Sequence, residues 1–74
     1  MKIMKVVYQD YDTYESWTLG GTYTSYVQGN VHTIQHDDGG GVTIFVLPED
    51  GSPVKLAMWI APHAVQKLYY GEGE

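Results

Sequence analysis

Seventy-four residues carrying nine acidic and four basic side chains and no cysteine describe one small acidic domain with no room for a second core. The missing cysteines exclude disulfides and thiolate metal sites. A net charge of −5, in a chain without a single arginine, repels a nucleic-acid backbone, so direct nucleic-acid binding is not expected.

Ile3 to Tyr8 (IMKVVY) is β-branched and apolar, and predicts a first strand with Met4, Val6 and Tyr8 on one face and Ile3, Lys5 and Val7 on the other. Trp17 to Leu19 predicts a short strand stopped by Gly20-Gly21. Thr22 to Gln28, rich in Thr and Tyr, predicts a half-buried strand that enters a two-residue hairpin turn at Gly29-Asn30 and returns along Val31 to His36. Asp37 to Gly41 reads as a loop, Val42 to Leu47 as a strong strand and Pro48 to Pro53 as a turn. Val54, Leu56, Met58 and Ile60 then alternate with Lys55, Ala57 and Trp59. Both faces of that strand can be covered, so alternation assigns Trp59 to neither core nor surface. From Pro62 the period changes. Ala61, Ala64, Val65, Leu68 and Tyr69 fall at helical spacing, and Gly71 is a natural stop, which predicts a short C-terminal helix. Glu72-Gly73-Glu74 reads as a frayed acidic tail on a single domain spanning 1–74.

These elements predict a mostly β fold with a minor α component. It is a small antiparallel sheet, or a partly open barrel, of about five strands with one short C-terminal helix. The segment YQDYDTYE, Tyr8 to Glu15, resembles the opening of an SH3 domain, which implies an SH3-like barrel as one shape for the chain. The paired tryptophans and later proline of that family are missing, so the resemblance reaches the shape and no further.

Met1 to Lys5 lacks the apolar core of a signal peptide, and Leu56 to Ala64, interrupted by Pro62, is too short to span a bilayer. A cytoplasmic protein without a membrane partner is the expectation.

Candidate chemistry is sparse. His32 and His36 show H-x3-H spacing beside Asp37 and Asp38, but on a strand rising ~3.3 Å per residue those histidines stand about 13 Å apart and cannot share an ion. Neither metal nor cofactor is expected. No serine sits in a G-x-S-x-G elbow, and Gly39-Gly40-Gly41 lacks the lysine and helix of a phosphate loop. The chain reads as non-catalytic.

The aromatics and acids carry more information. Seven Tyr, two Trp and one Phe exceed what so small a core needs, and Tyr11, Tyr14, Trp17, Tyr23 and Tyr26 crowd between residues 11 and 26. Such residues either fill the core or anchor an interface. The acids all fall in predicted loops or the tail, the lysines in predicted strands and the helix. The expected contact surface is Asp10, Tyr11, Asp12, Tyr14, Glu15, Trp17, Tyr23 and Tyr26, directed at a protein partner with a basic, nucleic-acid-binding surface. By size and charge, a virus- or mobile-element-encoded inhibitor is the nearest analogy. The alternatives are a self-assembling subunit, since small domains often lean on a second copy, and a small-ligand binder with its pocket between subunits.

Overall fold

The computed structural model describes residues 2–71; the predicted tail at 72–74 lies outside them. Strand β1 (Lys2–Asp10) turns back into β2 (Thr13–Thr18), and the chain crosses to a second sheet at β3 (Thr22–Tyr23). Strands β4 (Gly29–His36), β5 (Val42–Pro48) and β6 (Lys55–Ile60) follow. A 3-10 turn at Pro62–Ala64 then leads into β7 (Val65–Gly71). The sheets are β2-β1-β7 and β3-β4-β5-β6, antiparallel throughout, and one curls into a half-barrel.

One core serves both sheets. Strand β1 contributes Ile3, Val6 and Tyr8, β3 contributes Tyr23, and β4 to β6 contribute Val31, Ile34, Val42, Ile44, Val46 and Ile60, all buried. The β-branched residues among them suit a pleated, packed surface, and each aliphatic one withdrawn from water contributes roughly 1.5–3 kcal/mol. The sheets are joined at residues 19–21. Leu19 N–H donates to the Met4 carbonyl at 2.8 Å, Gly20 N–H to the Val31 carbonyl at 2.9 Å, and Val31 N–H to the Gly21 carbonyl at 2.8 Å.

The predicted C-terminal helix is replaced by the 3-10 turn and strand β7. The cause is a β-bulge. Val7 pairs with Lys67 but Tyr8 with Val65, so Gln66 is an extra residue. Inward-facing Val65 and Leu68 are therefore three positions apart instead of two, which imitates helical spacing. A bulge at Met4 has the same effect in β1, where Ile3 pairs with Tyr70 and Lys5 with Tyr69. Ile3 thus joins Val6 and Tyr8 in the core, and Met4 is only half-buried. A third bulge at Ala57 separates Leu56, left 59% exposed, from Met58 and Ile60, with which it was expected to share a face.

The Gly29-Asn30 hairpin turn is also corrected. Strand β3 is only two residues long, and the connection runs through Thr24 to Gln28, with Tyr23 pairing to Gly29. Gly29 is needed for a different reason: a Cβ there would meet the Leu47 carbonyl oxygen and stand 2.8 Å from Pro48 Cα. The backbone of β5 crosses too closely for any side chain.

Gly29→Ala should therefore lower stability by ~1–3 kcal/mol in urea titration. Gly39→Ala, where an added Cβ meets nothing within 4 Å, should change stability by less than about 0.5 kcal/mol. Equal effects would show that the close approach of β5 to Gly29 does not constrain the fold.

Candidate functional site

The β1–β2 hairpin closes through Tyr11 and Asp12, between the paired residues Asp10 and Thr13. Thr13 Oγ1 donates to the Asp10 carbonyl at 3.0 Å, and Gln9 Nε2 to the Tyr11 carbonyl at 3.1 Å. Tyr11 is the one non-glycine residue of positive φ among the described residues, at 60°. A two-residue loop with positive φ at its first position alone is a type II′ pattern, which favours glycine there. Tyr11 is nevertheless a tyrosine, and it is 94% exposed.

Beside this tip lies a groove of about 440 Å³ lined by Tyr8, Asp10, Tyr26, Met58 and Trp59, with Ala64 of the 3-10 turn at its end. Asp10 is its only charged lining residue. A smaller depression of about 170 Å³, between Gln9, Tyr11, His63 and Ala64, continues past the tip.

Trp59 is held in place although it is 55% exposed. Its indole Nε1–H donates to Asp37 Oδ2 at 2.9 Å. Its ring lies against Gly41, where a Cβ would come within 2.9 Å of indole atoms. The other Asp37 carboxylate oxygen is buried without a partner.

Beneath the hairpin, Trp17 packs on Tyr23 with ring centroids 4.3 Å apart, and its Nε1–H donates to the Tyr8 hydroxyl at 3.0 Å. Burial raises the Tyr8 phenol above its usual range; the Trp17 donor opposes this, while the Asp10 and Glu15 carboxylates add to it. Burial likewise raises the Tyr23 phenol. Ser25 and the Tyr26 backbone lie near enough to favour its phenolate weakly, but neither reaches hydrogen-bonding geometry, and the Tyr23 hydroxyl is buried and unpaired.

The expected contact surface is thus divided. Asp10 and Tyr26 meet in the groove, and Tyr11 stands next to it. Asp12 and Glu15 are exposed on the hairpin. Tyr14, opposite Gln9, faces away from the core on the outer side of β2-β1-β7. There it shares a face with Lys5 and Lys67, whose ammonium groups sit 5.5 and 5.0 Å from the Tyr69 ring centroid. Tyr23 is fully buried and Trp17 half-buried. These two hold the hairpin to the core, and of the expected contact residues Tyr23 alone has no exposed surface.

Tyr8, Met58 and Trp59 were not among the expected contact residues. Trp59 alternates out of the core opposite Met58 in sequence, but its link to Asp37 spans 22 positions and leaves no local signal. His32, a bulge residue in β4, and His36 are both exposed. No group of three or more His, Asp or Glu suited to a metal occurs among the described residues. No helix of the described residues is long and apolar enough to cross a membrane.

Compared with known proteins, the chain matches no family model, no curated protein and no solved structure.

The raised phenols set an alkaline limit on stability. Each favours the protonated form in the folded state, so its contribution is complete below the unfolded tyrosine value near 10.0 and is lost as pH rises through the folded value. Urea midpoints should hold steady up to about pH 9 and fall above about pH 10. Tyr23→Phe should reduce that fall and, by removing an unpaired buried hydroxyl, leave stability at neutral pH unchanged or raised by ~1 kcal/mol. A large loss at neutral pH would mean that the hydroxyl has a partner.

Proposed function

We propose that this chain is a non-catalytic protein-binding domain that presents the tip of the β1–β2 hairpin and the adjoining groove to a basic partner. Tyr11 carries the reading. A non-glycine residue in the left-handed region costs roughly 1–2 kcal/mol, and an aromatic ring 94% exposed returns nothing to the core. Strain held at an exposed aromatic, between the carboxylates of Asp10 and Asp12, is what a contact residue requires and a structural one does not.

The surroundings support the same reading. Tyr26 is 75% exposed beside the groove, the chain carries a net charge of −5, and the groove lining holds no nucleophile paired with a base. A surface of this charge complements proteins that bind nucleic acids, and an inhibitor of such a protein would use it.

A self-assembling subunit is the second reading. It draws on β6 and the turn before it, where Val54 and Leu56 are exposed close to Leu47 of β5. Sedimentation at low micromolar concentration separates the two, because only self-assembly gives a discrete larger species.

Tyr11→Gly should act in opposite directions on fold and function. It should raise stability by roughly 0.5–1 kcal/mol, the relieved strain less the added unfolded-state entropy, and it should weaken partner capture. Quantitative mass spectrometry of proteins retained from extracts of the native host checks this, with wild type, Tyr11→Gly and the Asp10→Lys/Asp12→Lys pair compared side by side. The same retained proteins at the same yield for all three would remove the hairpin tip from consideration.

A further inference from the structure

We propose that the groove beside the hairpin receives the guanidinium end of an arginine side chain from a basic partner segment. Tyr26 and Trp59 are the aromatic residues proposed to receive it, both among the groove's lining, and the Asp10 carboxylate is the counter-charge. The proposal rests on the protein-binding reading and names what that surface selects.

The first support is the fixing of Trp59. An indole left half in water ordinarily samples several rotamers, and ordering it on binding costs affinity. Here Asp37 holds the indole N–H at 2.9 Å, and the missing side chain of Gly41 makes room for the ring. The ring is pre-organised before any ligand arrives, and the residue remains 55% exposed.

Charge is the second support. Among the lining residues Asp10 is the one acidic side chain and no lysine, arginine or histidine occurs; Lys5 and Lys67 lie on the outer face of β2-β1-β7, away from the core. The groove therefore offers aromatic faces and one carboxylate to a ligand, which is complementary to a cation and unfavourable to an anion.

Size and group chemistry decide which cation. About 440 Å³ is more than one side chain fills, so an extended segment can lay its backbone along the groove while one side chain enters. Guanidinium is planar, less strongly hydrated than ammonium, stacks on aromatic rings and can pair with a carboxylate through two N–H groups. Lysine offers only a compact, strongly hydrated charge.

The test uses the full chain labelled with ¹⁵N and follows the Trp59 indole N–H resonance, which is assigned by its loss in Trp59→Phe. Acetyl-Gly-Arg-Gly-amide is titrated alongside counterparts with lysine, norleucine or glutamate in place of arginine. The expected result is a saturable shift of the Trp59 signal with the arginine peptide, and affinity weaker by roughly three- to tenfold with lysine and more with norleucine. Asp10→Asn and Tyr26→Ser, both at exposed positions, should each reduce affinity for the arginine peptide by roughly three- to tenfold without changing the urea midpoint.

No saturable shift, or equal affinity for arginine and norleucine, overturns the pocket. Equal affinity for lysine overturns the guanidinium assignment. If the arginine peptide fails while Tyr11→Gly still abolishes partner capture, the pocket is lost and hairpin docking stands. If the peptide binds but capture ignores Tyr11, the protein-binding reading fails and the pocket remains as a cation site.

Discussion

Strand β1 is shared by the two halves of the molecule, and the rest of the structure depends on how its inward face packs. It is the central strand of one sheet, and its Ile3, Val6 and Tyr8 close the apolar interior of the other. Ten buried hydrophobic residues make up that interior among the described residues, which include no α-helix to cover it, and the chain has no cysteine to cross-link it. Neither sheet could keep its inner face dry alone, so each requires the other. The backbone bonds at residues 19–21 hold the two in a fixed relation.

From that packing follows the role of the Tyr8–Trp17–Tyr23 group. Trp17 lies between a buried ring on β3 and a buried hydroxyl on β1. It thereby anchors the hairpin on which Asp10, Tyr11 and Asp12 stand. A strained, exposed residue such as Tyr11 persists only where its surroundings over-determine the backbone, and the continuous β1–β2 register from Lys5↔Thr18 to Asp10↔Thr13 does so. The groove has a comparable anchor on its other side, where Asp37 and Gly41 of the β4–β5 loop hold Trp59. Segments far apart in the chain, the β1–β2 hairpin and β6, thus meet at one groove.

Charge is laid out with the same economy. Lysines 5 and 67 flank Tyr69 on the outer face of the three-stranded sheet, whereas Asp10 and Asp12 lie at the hairpin tip and Asp37 and Asp38 in the β4–β5 loop. Glu49 and Asp50 sit in the turn after β5, where the Ser52 hydroxyl and N–H both donate to Asp50 Oδ1, at 2.6 and 2.9 Å, and hold its carboxyl below the usual range. Local hydrogen bonding of this kind places acids in turns. The fold then gathers one set of turns beside an aromatic groove.

By itself the sequence determined the β-rich class, the positions of β1, β4, β5 and β6, and the Asp37–Gly41 loop. All of these follow from local quantities, namely alternation, β-branching and turn chemistry, which act within a few residues. The tertiary structure decided the rest. Bulges at Met4, Gln66 and Ala57 arise from how two strands fit across a curved sheet, so a two-residue period turned into an apparent helix at Val65 to Tyr69 and Leu56 left the core face. Gly29 is a crossing point and not a turn because of the Leu47–Pro48 backbone opposite it. The groove joins β1, the Tyr26 loop and β6, and Trp59 is fixed by a carboxylate 22 residues away. Contacts over such separations leave no periodic trace, because what sets them is the closing of one sheet on the other.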